Sequence, residues 1–299
     1  MIEPAQVGCV IPYAGAVDYI LEAVNSALAQ GFGEVIIVND GADPQPLAIL
    51  SPERRVKIIH LQQSAGCPRA RNTGIEACTR PYVVLLDHDD VLCPGYLPAM
   101  IEWVEKNRLR CGAATLYYIG ENSQRVGSIV SRHPDFFLPS GFFSEVALIR
   151  EAGFFPDSLS DDLLFFRAIR RLAKLPTCPA ARVLYRIHPK AESSRNTTAW
   201  WVFNQLLPWY DEGTHSLADV NRMAREYAGQ GRIPAVLKGR VLSNSQPLVR
   251  LIGRNAYACW LNRDVKGVLK NAGKLLFHLP EMIRLARYKW SGKKANKAN

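Results

Sequence analysis

The chain has 299 residues, of which 48% are hydrophobic and 21% charged, with a formal net charge of +10. That balance excludes an intrinsically disordered chain and supplies enough apolar side chains for one large domain with a smaller companion. The charge is unevenly spread: residues 1–195 hold 20 Lys and Arg against 21 Asp and Glu, whereas residues 196–299 hold 17 against 6.

Seven scattered cysteines without Cys-x-x-Cys spacing argue against a disulfide framework or a zinc cage, and for reduced thiols. Glu3 stands where a secretory leader would carry positive charge. No apolar run approaches the roughly 18 residues of a membrane span, and the aromatic stretch from Trp200 to Tyr210 is broken by Asn204, Gln205 and Pro208. A cytoplasmic protein is the expectation.

In chain order, Val7 to Pro12 reads as a short buried strand. Ile20, Leu21, Val24 and Leu28 mark one face of a helix that Gly31 and Gly33 stop. Glu34 to Asn39 is a second, β-branched strand closed by Asp40-Gly41, and Val56 to His60 a third. Pro68 to Cys78 can form a helix, and Tyr82 to Leu86 is the clearest strand. Leu97, Met100, Ile101 and Val104 define another amphipathic helix, and Ser160 to Asp162 begin one carrying Phe165, Phe166, Ile169 and Leu172. Val- and Ile-rich strands alternating with helices predict an α/β fold with a mixed, mostly parallel sheet flanked by helices. Such sheets bind ligands at the carboxyl ends of their strands. Near Arg195 strands give way to Trp, Arg and Lys, which divides the chain into a catalytic domain over 1–195 and a basic, mainly helical region over 196–299.

Three carboxylates, Asp87, Asp89 and Asp90, follow the fourth strand with His88 among them. Gathering them costs repulsion, and carboxylate oxygens are natural ligands of Mg²⁺ or Mn²⁺ that leave coordination positions for phosphates. A solvated turn capping the next helix is the plainer reading. The residues alone leave both open.

Leu86 to Val91 resembles the Asp-x-Asp region of family 2 glycosyltransferases, which have the GT-A fold. Further segments follow in that family's order: Val10-Ile-Pro-Tyr13, Val38-Asn-Asp-Gly41, Ala70-Arg-Asn-Thr-Gly74, Gly153 to Leu159 with Asp161-Asp162, and Tyr185-Arg-Ile-His188. Together they span roughly residues 5–190. The sequence departs from the family's pattern at Pro12-Tyr13-Ala14-Gly15, at Asn39 where an Asp is common, at Asp161 in place of Glu, and at Leu164.

The resemblance implies an inverting enzyme that uses a nucleotide sugar and a divalent cation, Mg²⁺ or Mn²⁺. It assigns Asp89, with Asp87 and His188, to the metal, and Asp162 to the general base. Pro12, Tyr13, Asp40, Arg71, Asn72, Asp87, His88, Asp161 and Arg186 would contact the donor. Asp40 would accept a hydrogen bond from a pyrimidine ring, and Arg71 would pair with a phosphate or hold an aspartate in place. Arg71 and Asn72 lie early in a helix, where free N–H groups attract anions. UDP- and dTDP-sugars both fit, dTDP-rhamnose among them. The implied acceptor is a glycan or lipid-linked glycan of the cell surface: lipopolysaccharide core, O-antigen or capsule.

In the basic region, an apolar stripe from Val265 to Leu279 and a second from Met282 to Trp290 alternate with Lys and Arg. Such helices suit the surface of an anionic membrane, or they pack on the catalytic domain with their charges solvated. Peripheral attachment to the inner face of the cytoplasmic membrane is the expectation. The alternatives are transfer to polyprenyl phosphate, a sugar-nucleotide-binding protein without catalysis, and a basic nucleic-acid-binding module. The basic groups match no nucleic-acid motif and lie away from the sheet's ligand edge, so no nucleic acid is expected.

Overall fold

Seven consecutive buried residues form strand β1, Val7–Tyr13, and their alternation supplies both faces of the sheet. Val7, Cys9, Ile11 and Tyr13 enter one core, whereas Val10 enters the other. Strand β2, Glu34–Asn39, does the same, with Val35 and Ile37 on the first side and Ile36 and Val38 on the second. A strand covered on both faces needs apolar residues throughout, which is why these two read as unbroken β-branched runs.

A computed structural model of the chain describes residues 1–229 apart from 16, 51–52, 122, 124–125, 132–136 and 189–196. Helix α1, Val17–Leu28, turns Ile20, Ala23, Val24 and Ala27 into the first core. Strand β3 is Val56–His60, helix α2 Cys67–Ala77 and strand β4 Tyr82–Leu85. A two-residue strand β5, Val91–Leu92, precedes helix α3, Tyr96–Lys106. Next come β6, Cys111–Ile119, β7, Val126–Ser131, β8, Phe142–Glu145, and helix α4, Val146–Ala152. Helix α5, Asp161–Leu172, leads into β9, Thr177–Arg186.

The strand order is β3-β2-β1-β4-β8-β6-β9-β5, with β7 added on β6. The mixed sheet expected from the sequence is present. Its first four strands are parallel, β8 runs antiparallel to β4 and β6, and β9 is parallel to β6. Helices α1 and α3 cover one face, and α2, α4 and α5 the other. Gly74 lets α2 lie close on the sheet, because a Cβ there would come within 2.4 Å of Val10 Cγ1.

This topology positions the site. Tyr13 pairs with Asn39, and Val10 with Leu85, so β1, β2 and β4 end along one edge. Asp40 and the acidic loop 87–90 follow directly from those ends. Short β5 pairs antiparallel with β9 through Val91–Leu184 and Leu92–Val183, which fixes the exit of the acidic loop beside the end of β9.

The chain divides into two units. The first comprises Met1–Ile119, Ser123–Asp157 and Asp161–Arg186; the second comprises Gly120–Asn122, Ser158–Ser160 and the chain from Ile187. Within the second, helix α6, Thr197–Asp211, buries Val202, Phe203, Leu206 and Leu207, and helix α7, Leu217–Gly229, packs on it with Val220 and Ala224 buried. Asn221 Oδ1 accepts from the Leu159 N–H at 3.1 Å, and Asn204 Nδ2 donates to Ser160 Oγ at 3.1 Å. The amphipathic stripes expected from Val265 to Trp290 lie outside the described residues. Among the described residues no helix is long and apolar enough to cross a membrane.

Candidate active site

Arg71 is the centre of the acidic edge. It lies in the second turn of α2 with its side chain 8% exposed, donates to Asp87 Oδ1 at 2.7 Å through one terminal nitrogen, and donates to Asp161 Oδ2 at 3.0 Å through the other. The guanidinium also sits 5.3 Å from the centre of the Phe155 ring. Burial works against the charged form of Arg71, but the charge of Asp87, followed by Cys67 and Asp161, more than reverses this and raises its pKa well above the ordinary value. One cation thus joins the loop after β4 to the first residue of α5.

Around that pair the acids differ. The Asp87 N–H donates to Ser140 Oγ at 2.9 Å, which anchors the loop's first residue. Asp90 is buried; its Oδ1 accepts from the Arg186 N–H at 2.8 Å. Desolvation raises the pKa of Asp90 well above the carboxylate range, the charges of Asp89 and Asp87 add to this, and a Ser140 hydrogen bond opposes it. Asp162, second in α5, accepts from the Leu163 N–H at 2.7 Å. Its carboxyl is also pushed upward, first by desolvation and to a lesser degree by Asp87, against the lowering effects of the Leu163 N–H and Arg71.

Asp40 acts on a neighbouring loop. Its Oδ1 accepts from the Ala65 N–H at 2.6 Å, and its Oδ2 accepts from Ser64 Oγ at 2.9 Å and the Gly66 N–H at 3.0 Å. The anion held at the start of α2 is therefore Asp40 itself. Arg71 and Asn72 lie beyond the helix's first turn, so they reach the site by side chain and not through free N–H groups. Gly41, at φ +72°, lets the chain pass under this loop, since a Cβ would meet Ser64 N at 2.5 Å. Asn39 caps the same turn: its Nδ2 donates to the Ala42 carbonyl at 2.8 Å and contacts His60 Nδ1 at 3.1 Å, while its Oδ1 accepts from the Ala42 N–H at 2.9 Å. An Asp at position 39 would supply no donor to either partner, a physical reason for the departure from the usual pair of aspartates.

Asn72 faces the segment after α4. It donates to the Phe155 carbonyl at 2.8 Å and accepts from the Phe155 N–H at 3.0 Å. That pair of hydrogen bonds pins a turn in which Phe154 holds a left-handed φ of +64°. His88 Nδ1 lies 3.0 Å from the Pro12 carbonyl, and its ring meets Tyr13 edge to face at 5.7 Å. Tyr13 is buried, and its hydroxyl has no hydrogen-bond partner among the described residues. His188 is buried in the second unit. Among the described residues, no three or more His, Cys, Asp or Glu side chains converge as metal ligands.

Residues 9–172 match the model of glycosyl transferase family 2, more than half of the chain. The chain belongs to that family. An uncharacterized glycosyltransferase of Haemophilus influenzae is 24% identical over 229 residues, covering 65% of this glycosyltransferase and 71% of the relative. The succinoglycan biosynthesis protein ExoO of Rhizobium meliloti is 38% identical over 97 residues, 31% of this chain and 28% of that protein. Among solved structures, S. aureus TarS 1–349 in complex with UDP-GlcNAc superposes with a TM-score of 0.55 at 16% identity, over 92% of this chain and 91% of that one. GalNAc-T7 with UDP, GalNAc and Mn²⁺ gives 0.51 at 13% identity, over 66% and 50%. At such identities the likeness is one of fold, and it establishes the GT-A architecture of this glycosyltransferase.

Three contributors to the site escape the family's motifs: Ser140 before β8, and Tyr19 and Glu22 on α1. Glu22 pairs with Arg186 at 2.5 Å across 164 positions of sequence. Nothing local distinguishes that acid from a solvated helix residue. Two open grooves lie outside the acidic loop: one of about 750 Å³ at the far end of α5, beside Arg170, Arg171 and Lys174, and one of about 670 Å³ between Leu21, Glu22 and Asn25 of α1 and Leu92 to Gly95.

Proposed function

We propose that this glycosyltransferase moves a sugar from a nucleoside-diphosphate donor to a hydroxyl of a cell-surface glycan, by one-step displacement that inverts the anomeric centre. The observation that carries this reading is a cluster of carboxylates at one edge of the sheet. Among the described residues, Asp87, Asp89, Asp90, Asp161 and Asp162 lie near the carboxyl edge of the sheet, where Arg71 bridges Asp87 and Asp161 and Arg186 bonds the Asp89 carbonyl. Carboxylates gathered after a strand end favour a divalent cation, and a site with few protein ligands leaves room for diphosphate oxygens. The cation, Mg²⁺ or Mn²⁺, would supply Lewis-acid stabilisation of the leaving diphosphate. The solved relative containing Mn²⁺ lends support to its use.

Asp89 is the proposed ligand, with Asp87 oriented by Arg71 beside it. Pro12, Tyr13 and Asp40 would surround the base. Asp40 Oδ1 has a single backbone partner and retains lone-pair capacity for a ring N–H. Arg71, Asn72, His88, Asp161 and Arg186 line or support the diphosphate region. Asp162 would take the proton of the acceptor hydroxyl as the new bond forms, a role that its raised pKa suits. TarS binds UDP and UDP-GlcNAc, which favours a UDP-linked donor over the dTDP-linked sugars. ExoO is named for succinoglycan biosynthesis, which favours an exported polysaccharide as the acceptor's class. Residues 1–195 would hold the donor, and residues 196–299 would meet the acceptor or an anionic membrane at the cytoplasmic face.

Calorimetry with UDP and dTDP, each with Mg²⁺ or Mn²⁺, tests the reading directly. Binding that needs the cation and disappears in Asp89→Ala is expected. A chain that binds no nucleoside diphosphate under any of these conditions overturns it.

A further inference from the structure

The sequence motif places Arg186 among the donor contacts, yet its geometry commits it elsewhere. Its side chain is 1% exposed. Nε donates to the backbone carbonyl of Asp89 at 2.7 Å, the Arg186 N–H donates to Asp90 Oδ1 at 2.8 Å, and one terminal nitrogen pairs with Glu22 Oε2 at 2.5 Å. The guanidinium carbon lies 4.4 Å from the centre of the Tyr19 ring. The other Glu22 oxygen accepts from the Ser123 hydroxyl. Asp89, helix α1 and the end of β9 therefore meet at one guanidinium, while the Arg186 backbone N–H holds Asp90 and Glu22 holds Ser123.

We propose that Arg186 is a positioning residue that sets the conformation of Asp89, and that Glu22 and Tyr19 of α1 hold Arg186 in place to do so. The inference rests on the proposed role of Asp89 in binding the cation. Adjacent carboxylates repel, so the loop 87–90 needs an external restraint. Hydrogen bonds to a carbonyl and a carboxylate on successive residues restrain both backbone and side chain. A buried guanidinium remains in place only when its charge is answered. Glu22 gives that answer from a helix outside the strand-end edge, and Tyr19 offers the face of its ring to the same cation. Without Glu22, solvation draws Arg186 outward and releases the Asp89 carbonyl.

This separates two roles by the sign of one effect. If Arg186 served the diphosphate directly, removing its internal partner would free it, and binding would tighten or stay the same. If it positions Asp89, the same change weakens binding. The experiment uses the full chain as wild type, Glu22→Gln, Tyr19→Leu and Arg186→Lys, with UDP and Mn²⁺ as probes. Glu22→Gln is expected to weaken Mn²⁺-supported UDP binding about 10- to 100-fold, the range for partners that orient metal ligands, with recovery at higher Mn²⁺. In the ligand-free protein, amide hydrogen exchange over residues 86–92 is expected to accelerate in Glu22→Gln and Arg186→Lys, and to a smaller extent in Tyr19→Leu, while exchange in α2 stays at the wild-type rate. Unchanged exchange over 86–92, or UDP binding that is equal or tighter in Glu22→Gln, overturns the proposal. A wild-type chain that binds no UDP with Mn²⁺ removes the functional reading on which it rests, and exchange over 86–92 still decides whether Arg186 and Glu22 order the loop.

Discussion

Arg71 shows how much one side chain can hold. Its two ion pairs keep Asp87 and Asp161 from facing each other unshielded. Arg71→Met should destabilise the fold by about 3 kcal/mol, the low end for a broken buried pair because both acids are partly exposed, read as a drop in Tm. Arg71→Lys should recover only part of this, since an ammonium is a point charge and not a planar fork spanning two partners. Asp162 is where pH enters. Burial holds its carboxyl above the usual range, so folding favours the protonated form. Its contribution to stability is complete below the unfolded carboxylate pKa of about 4 and fades as pH rises through the folded value. As the proposed base it would work deprotonated, so the rate should climb over that same interval. Asp162→Asn should fold, lose about 10²- to 10⁴-fold in turnover, and lack the rising limb of the pH profile, as followed by donor consumption. A variant that keeps the limb would move the base elsewhere.

Helix α2 illustrates what can be read at the scale of an element. Its extent is visible in Pro68 to Cys78, and its match to the family's Ala-Arg-Asn-x-Gly segment points to Arg71. The identity of the anion at its N-terminus is not visible, because Asp40 comes from a different strand end and meets Ala65 and Gly66 only after folding. Gly74 is a similar case: its reason is Val10, on β1, at 2.4 Å from where a Cβ would lie. Gly74→Val should cost about 1–3 kcal/mol through overpacking, measured by denaturant unfolding, while leaving residues 87–90 in place. Strands β1 to β4 are legible because burial on both faces makes them continuous apolar runs. Strands β6, β8 and β9 are not. β6 begins Cys-Gly-Ala-Ala, β8 has four residues, and β9 contains Pro179 and buries its residues irregularly. Their stability comes from partners distant in sequence, which no local pattern reports.

At the scale of the whole molecule, donor binding and folding are linked. UDP at a hundredfold excess over its Kd, with Mn²⁺, should stabilise the chain by about 2.7 kcal/mol, seen as a rise in Tm that a chelator abolishes. Equal Tm values with and without Mn²⁺ would separate the nucleotide from the cation. The uneven charge of the chain predicts a second behaviour. With 17 Lys and Arg against 6 acids in residues 196–299, the full chain should sediment with anionic vesicles, each basic residue near the surface adding about 1 kcal/mol, and should be released as salt rises. Retention on neutral vesicles at high salt would point to apolar insertion instead.

The sequence by itself determined the class of fold and the family, because hydrophobic periodicity and short motifs are local properties. Only the tertiary structure decided what each motif residue touches: Asp40 on the loop before α2, Arg71 between two acids, Arg186 against Asp89 and Glu22. The reason is electrostatic. A buried charge must be answered by another group, and the answering group is chosen by proximity in space, which for Glu22 and Arg186 bears no relation to distance along the chain.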